Sequence, residues 1–200
     1  MGYVLETFLQ GIPFMKTRLI HRLAIFVTLV LFTSAGFAQQ RADQEKLPNF
    51  HEVNSKLYRG AQPKVGGLQQ LVGRGIKTIV NLRGQGEGVR KEEEEARAAG
   101  LRYFSIPFDR MGRPDDAELK QVLSIIDTPE NQPVFVHCKQ GVDRTGTVIA
   151  IYRITHDGWT SEQAKAEANR YGMHPWERGM KNYIRDYYQR YLKEKKAVAQ

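Results

Sequence analysis

The sequence has very little cysteine: a single residue, Cys138, in 200. One thiol excludes an intramolecular disulfide. In an oxidising compartment an unpaired thiol is exposed to stepwise oxidation, so its presence indicates either deep burial or a chemical role.

Other absences exclude whole classes of protein. The five histidines are dispersed without zinc-ligand spacing, so no metal site is expected. No helix-turn-helix, zinc-finger or RNA-binding pattern accompanies the net charge of +8, which therefore indicates an anionic ligand rather than nucleic acid. With 41% apolar and 26% charged residues, the composition argues against a disordered chain or a multi-span membrane protein.

Residues 1–38 differ from the rest of the chain. Basic residues come first, followed by an apolar run over 23–32 and a small-residue stretch over 34–38. This order is typical of a secretory signal peptide cleaved after Ala38, with Met15 as an alternative start to Met1. The apolar core is much shorter than the roughly 20 residues of a membrane span, which disfavours an uncleaved anchor. We therefore expect a periplasmic or secreted protein that touches a membrane only if this segment is uncleaved.

The remainder predicts a polar linker over 39–48 and one folded domain over 49–195, since 200 residues are too few for two ordinary domains. Short apolar stretches alternate with helical patterns, which predicts an α/β fold: a single-domain three-layer sandwich with a mostly parallel sheet of four or five strands flanked by helices. We expect a monomer. Strands are predicted over 57–59, 78–82, 103–107 and 134–137, and helices over 65–74, 89–99, 115–126, 144–156, 161–171 and 176–192.

Two stretches receive structural interpretations. The acidic run over 92–95 is flanked by basic residues at helical spacing, which predicts a solvated helix face. The aromatic residues Trp176, Tyr183, Tyr187 and Tyr191 also have helical spacing, which predicts that they pack a terminal helix onto the core.

Residues 133–146 carry the chemistry, and they read Pro-Val-Phe-Val-His-Cys-Lys-Gln-Gly-Val-Asp-Arg-Thr-Gly. A buried strand ends at Cys138, a tight loop follows, and an apolar helix begins at Arg144. Successive backbone N–H groups of such a loop, with the helix N-terminus behind them, form a cradle for one anion. Gly141 lets the loop turn, and Gly146 permits close approach to neighbouring backbone. The residues predicted to bind phosphate are Lys139, Gln140, Gly141, Val142, Asp143 and Arg144, called below the 139–144 loop.

The same cradle favours a thiolate at its floor, because electropositive loops stabilise ionised cysteine. A thiolate that attacks phosphorus divides hydrolysis into two easier steps. The planar fork of Arg144 matches two phosphoryl oxygens.

The pattern His-Cys-x-x-Gly-x-x-Arg-Thr-Gly over 137–146 resembles the signature of cysteine-dependent protein tyrosine and dual-specificity phosphatases. Residues 57–63 and 75–83 are similar to the opening of small bacterial, plant and fungal atypical dual-specificity phosphatases. The resemblance covers roughly residues 50–190. It implies a compact α/β phosphatase domain without cofactor that hydrolyses phosphate monoesters through a phosphocysteine intermediate, on a phosphorylated protein, lipid, inositol phosphate or small molecule.

The resemblance also assigns roles to residues within this motif. Cys138 is expected to be the nucleophile, Arg144 to bind phosphate, and Thr145 to donate a hydrogen bond to the departing thiolate. His137 is expected to tune the thiol, or to brace the loop as a buried polar residue.

The family supplies its general acid from an aspartate on a loop some thirty residues before the cysteine. Asp109 lies 29 residues before Cys138 and is the first candidate, although the Trp-Pro-Asp triplet of the tyrosine-specific branch is missing. Asp115 and Asp116 are rivals, but they follow Pro114 where a helix start explains acidic residues. A site with no general acid is the remaining alternative.

Several interpretations stay open within and around this motif. Asp143 either orients the loop backbone or pairs with Arg59 or another base, and Lys139 either contacts additional phosphates or faces solvent. A rhodanese-like sulfurtransferase also has a reactive cysteine in an anion-binding loop, although the spacing of Arg144 and Thr145 favours a phosphatase. A phosphatase-like module that binds phosphorylated ligands without hydrolysing them is the other alternative, disfavoured because the cysteine and arginine are both present.

Overall fold

The computed structural model describes residues 45–108 and 112–198, which belong to one compact unit, Asp43–Gln200. The predicted signal segment and most of the predicted linker lie outside the described residues. No helix within these two ranges is both long and apolar enough to cross a bilayer.

In the described ranges five strands form one sheet in the order β1-β2-β5-β3-β4, and of these strands only β1 runs antiparallel to its neighbour. The α/β architecture with a mostly parallel sheet is therefore confirmed. Sequence reasoning missed β1, because His-Glu-Val-Asn has one apolar side chain and no apolar run. The strands are β1 (His51–Asn54), β2 (Leu57–Ala61), β3 (Thr78–Asn81), β4 (Arg102–Ser105) and β5 (Val134–Cys138).

Six helices of seven or more residues cover the sheet in the part of the chain that the structure describes, and each overlaps one predicted helix. The third begins at an aspartate cap, since the Asp115 carboxylate accepts the Ala117 N–H at 2.7 Å. The fifth begins with a capping box between Thr160 and Gln163. The helices are α1 (Gly67–Gly73), α2 (Glu87–Ala98), α3 (Asp116–Asp127), α4 (Asp143–His156), α5 (Ser161–Arg170) and α6 (Arg178–Val198), with a 3₁₀ turn at Pro129–Asn131.

The sheet separates two apolar cores, which gives the three layers predicted. Alternate side chains of the central strand β5 enter opposite cores: Phe135 packs with α1 and α2, whereas Val134 and Val136 pack with the helices on the other face. All three are fully buried. Helix α4 is buried from Thr145 to Tyr152, because it lies between the sheet and other helices.

Three details differ from the sequence expectations. Leu47, inside the predicted linker, is 1% exposed, so packing begins before Asn49. The prediction of a solvated acidic face is wrong for Glu92, which is 5% exposed and lies at the sheet. Trp176 is 70% exposed and precedes α6, so it does not pack the terminal helix, although Tyr183, Tyr187 and Tyr191 do contact the core.

The carboxyl ends of the parallel strands meet at one edge of the sheet, where α/β proteins place their sites. Cys138 is the last residue of β5, and it is flanked in register by Ala61 of β2. On the other side the Leu82 N–H, just after β3, donates to the His137 carbonyl at 2.8 Å. The loops after three strands therefore converge around Cys138.

Candidate active site

Cys138 forms the floor of the 139–144 loop. The side chain is 2% exposed, and the Gly141 N–H donates to its Sγ at 3.3 Å. A backbone N–H directed at sulfur favours the thiolate over the neutral thiol. Burial and this contact place the sulfur at the base of the cradle that the sequence predicts.

Two features of the backbone require glycine at position 141. Its φ of +71° lies in the left-handed region that favours glycine. A Cβ there would lie only 2.4 Å from the carbonyl carbon and oxygen of Gly60. The loop thus depends on the absence of a side chain where it crosses β2.

Arg144 stands in the first turn of α4 and is half-buried. Its Nη1 donates to the carbonyl of Leu82 at 3.1 Å, which fixes the guanidinium against the end of β3. This anchor leaves Nε and Nη2 as a fork for two oxygens of one anion.

Thr145 follows Arg144 and is fully buried. Within the described ranges its Oγ1 has no hydrogen-bond partner. A buried hydroxyl without a partner is costly, so this donor is available for a ligand or for sulfur. Gly146, one residue later, lies against the side chains of Met173 and Ala168 rather than against neighbouring backbone as expected.

Asp143 pairs with a base, but the base is His174 and not Arg59. The carboxylate accepts the His174 backbone N–H at 2.9 Å and lies 2.8 Å from its ring Nδ1. The ring of Trp176 stacks on His174 with centroids 4.6 Å apart. Asp143 therefore ties the 139–144 loop to the segment after α5.

Arg59 lies behind the 139–144 loop and is 1% exposed. Its Nη2 donates to the Gly141 carbonyl at 2.9 Å, and its guanidinium lies 4.5 Å from the centre of the Tyr171 ring. Burial lowers the pKa of Arg59 to about 10, while the negative charge of Glu167 acts in the opposite direction. Arg59 therefore carries a positive charge at neutral pH behind the sulfur.

His137 is fully buried, and its Nδ1 lies 3.2 Å from the Cys138 carbonyl oxygen. Its Nε2 lies 2.7 Å from Oε1 of Glu92. The other carboxylate oxygen of Glu92, Oε2, forms a salt bridge with Nη1 of Arg83. Sequence reasoning missed Glu92, because it is one of four consecutive glutamates and nothing in the sequence separates it from the others. The register of α2 against the sheet could not be read from that run.

The candidates for the general acid have different surroundings. Asp109 lies outside the described residues, so its role stays a prediction. Asp115 caps α3, and Asp116 accepts hydrogen bonds from Tyr183 at 2.5 Å and Arg190 at 2.9 Å. These partners give both rivals a structural reason to be acidic.

Lys139 and Gln140 are exposed at the rim of the loop. A cavity of about 370 Å³ adjoins Lys139, and Arg83 and Arg144 also contribute to its lining. In the ranges 45–108 and 112–198, no cluster of His, Cys, Asp or Glu could hold a metal ion. The open surface beside the loop is therefore basic.

Comparison with known proteins agrees with this geometry. The family model described as "DSP-PTPase phosphatase fused to NAD+ Kinase" matches residues 32–186. The dual specificity protein phosphatase TpbA of Pseudomonas aeruginosa is 34% identical over 127 residues, which are 62% of this chain and 55% of TpbA. The inositol diphosphatase DSP4 of Arabidopsis thaliana is 27% identical over 109 residues, which are 52% of this chain and 54% of DSP4. The chain thus spans about half the length of these curated relatives.

Solved structures show the same fold. The crystal structure of P. aeruginosa TpbA matches with a TM-score of 0.59 and 29% identity, over 69% of this chain and 84% of that one. The core catalytic domain of the PP-IP phosphatase SIW14 from S. cerevisiae matches with a TM-score of 0.64 and 22% identity, over 76% of this chain and 92% of that one. At 22% identity the second match speaks for the fold alone.

Proposed function

The chain belongs to the DSP-PTPase phosphatase family, whose model covers residues 32–186, and on this premise we propose that it hydrolyses phosphate monoesters through a phosphocysteine intermediate on Cys138. The observation that carries the proposal is the position of the sulfur. It lies buried at the floor of the 139–144 loop, where the Gly141 N–H donates to it at 3.3 Å, with Arg144 at the start of the next helix.

The proposed first step is attack of the Cys138 thiolate on phosphorus. An S–P bond forms and the P–O bond to the leaving group breaks, while the leaving oxygen takes a proton from the general acid, for which Asp109 is our candidate. Loop amides and the Arg144 fork stabilise the charge on the phosphoryl oxygens.

In the second step, water attacks the phosphocysteine, the ionised general acid takes a proton from that water, and the S–P bond breaks. Inorganic phosphate leaves and the thiolate is regenerated. The buried Thr145 hydroxyl, which lacks a partner in the described ranges, supplies the hydrogen bond to the departing sulfur. This role explains why a hydroxyl without a partner is retained in the core.

For substrate we propose an ester that carries a second anionic group beside the scissile phosphate. The support is the basic lining of the 370 Å³ cavity, where Lys139 is exposed and Arg83 is paired with Glu92. An inositol diphosphatase among the relatives is in keeping with such a substrate, and a phosphorylated protein is the alternative.

The decisive experiment measures phosphate release from a phosphotyrosine peptide, a phosphoserine peptide, a phosphoinositide and an inositol phosphate panel. Wild type should release phosphate from at least one of them, and Cys138→Ser should be inactive on all. A serine variant as fast as wild type overturns the proposal. Binding without turnover by wild type would instead support the binding module, and robust sulfur transfer from thiosulfate to cyanide would support the rhodanese interpretation.

The substrate class is tested with Lys139→Met and the control Lys56→Met. Both lysines are exposed, but Lys56 precedes β2 and so lies at the opposite end of the sheet. Lys139→Met should lower kcat/KM about tenfold on polyphosphorylated substrates and much less on the phosphotyrosine peptide. Equal effects on both substrates, or none, contradict a second anionic group.

We further propose that the chain is exported and cleaved after Ala38. The support is the order of basic, apolar and small residues over 16–38. Amino-terminal sequencing of secreted or periplasmic material should begin near Gln39. An intact amino terminus in the membrane fraction would instead indicate an anchor.

A further inference from the structure

Asn49 stands far before the active-site motif and adopts an uncommon backbone conformation. Its φ is +51°, in the left-handed region that few side chains other than asparagine and aspartate tolerate. The Ala61 N–H donates to the carbonyl of Pro48 at 2.9 Å, which holds this turn against the end of β2. Residues that keep a strained conformation often do so for a functional contact.

The side-chain amide of Asn49 contacts the outer side of the 139–144 loop. Its Nδ2 lies 3.1 Å from the carbonyl oxygen of Gly141 and 3.3 Å from that of Gln140. A third carbonyl, that of Tyr171, lies 3.5 Å away. The Nδ2 donors are therefore shared between two consecutive peptide groups of the loop and the end of α5.

His51 fixes which way this amide faces. Its Nε2 lies 3.1 Å from Oδ1 of Asn49. An amide oxygen can only accept, so the ring nitrogen donates to it, and Nδ2 is left to face the loop.

Arg59 reinforces the same carbonyl from the core side. Its Nη2 donates to Gly141 O at 2.9 Å, so this oxygen receives two donors. Arg59 is 1% exposed and lies behind the loop, where it has no route to a substrate.

The orientation of these carbonyls decides where the loop amides point. In a trans peptide the C=O and the following N–H point in opposite directions. Carbonyls of Gln140 and Gly141 held on the outer side therefore turn the N–H groups of Gly141 and Val142 inward. The Gly141 N–H does point inward, since it donates to Sγ of Cys138.

We propose that Asn49 and Arg59 are positioning residues that aim the Gly141 and Val142 amides at the sulfur and at the phosphoryl oxygens. This inference rests on the proposed phosphatase function, but it concerns the assembly of the cradle. Neither residue touches the substrate, and both act through the backbone of the 139–144 loop.

The test compares Asn49→Gly, Asn49→Asp and Arg59→Met with wild type. Glycine removes the amide without penalising the left-handed backbone, and aspartate keeps the shape but loses the donor. Asn54→Ala is the matched control, because that amide donates to the Tyr152 hydroxyl at 3.0 Å, away from the loop. Thermal unfolding checks that each variant is folded.

Three readouts separate positioning from a general structural role. Asn49→Gly should weaken binding of tungstate, an oxyanion probe, and lower kcat/KM, each by about 10- to 100-fold. It should also slow alkylation of Cys138 by iodoacetamide near neutral pH and shift the pH dependence of that alkylation upward. Asn49→Asp and Arg59→Met should change all three in the same direction, and Asn54→Ala should change none.

The proposal is overturned if folded Asn49→Gly and Arg59→Met bind tungstate as tightly as wild type does and if their Cys138 is alkylated with the wild-type pH dependence. These two readouts need no turnover. If wild type hydrolyses no phosphate ester but the variants still lose tungstate binding, the proposed function fails while the positioning role stands.

Discussion

Nε2 of His137 lies 2.7 Å from Oε1 of Glu92, and both residues are inaccessible to solvent or nearly so. Glu92 also accepts Arg83 at 2.9 Å and the Tyr103 hydroxyl at 3.3 Å. Burial, together with the nearby Glu92 charge, raises the pKa of Tyr103. One buried carboxylate thus links His137, the residue before Cys138, to Arg83 at the rim of the site.

Replacing this carboxylate should be costly. Glu92→Gln leaves the partners with a neutral group, and we expect the free energy of unfolding to fall by about 2 kcal/mol. Glu94→Gln, in the same acidic run but exposed, should change stability by less than about 0.5 kcal/mol. Urea denaturation measures both, and equal stability of the two variants would restore the interpretation of the whole run as a solvated face.

Gly141→Ala should disrupt the 139–144 loop. Two effects add there, the positive φ and the overlap with Gly60, and we expect at least a roughly 100-fold loss of kcat/KM. Gly158→Ala isolates the first effect, because Gly158 has φ +70° and a Cβ there would meet no other part of the described structure within 4 Å. That control should cost about 1 kcal/mol of stability and leave activity intact. Similar activity in both variants would show that the close contact with Gly60 is unimportant.

The general acid can be identified by its dependence on the leaving group. Asp109→Ala should lower turnover of alkyl phosphates about 100-fold and spare highly activated aryl phosphates, which need no proton. Asp116→Asn should instead reduce stability through Tyr183 and Arg190 and keep the ratio between substrates unchanged. A substrate-dependent loss in Asp116→Asn, with none in Asp109→Ala, would move the acid to Asp116.

His51 should contribute a small acid sensitivity. Burial, and then the charge of Arg59, lowers the pKa of His51 below its usual 6.5. As pH falls through 6.5, the His51 imidazole is protonated in the unfolded chain before it is protonated in the folded protein. The contribution of His51 to the free energy of unfolding therefore decreases until the pH reaches the folded-state pKa, and it is constant below that pH. Between about pH 7.5 and pH 5, the free energy of unfolding of wild type should therefore fall by a few tenths of a kcal/mol more than that of His51→Gln. The difference is small because the ring is partly exposed to solvent. Equal losses in urea denaturation would contradict this assignment.

Local sequence determined the elements and the loop. The apolar run before Cys138, the glycine at 141 and the helix pattern after Arg144 each act within a few residues, so they predict a strand, a tight turn and a helix start. Alternation of strands and helices likewise predicts a parallel sheet, because parallel strands need helical crossovers. The short polar strand β1 was not predicted, since its residues form neither an apolar run nor an apolar–polar alternation.

Tertiary structure alone decided which distant residues serve that loop. Asn49, Arg59 and Glu92 lie 46 to 89 positions before Cys138 in the chain, and the patterns of their own segments do not predict contact with the 139–144 loop or with His137. The parallel register that pairs Ala61 with Cys138, and the packing of α2 on the sheet, bring them together. Contacts of this kind depend on the packing of whole elements, whereas sequence patterns report on backbone conformation and burial within one element.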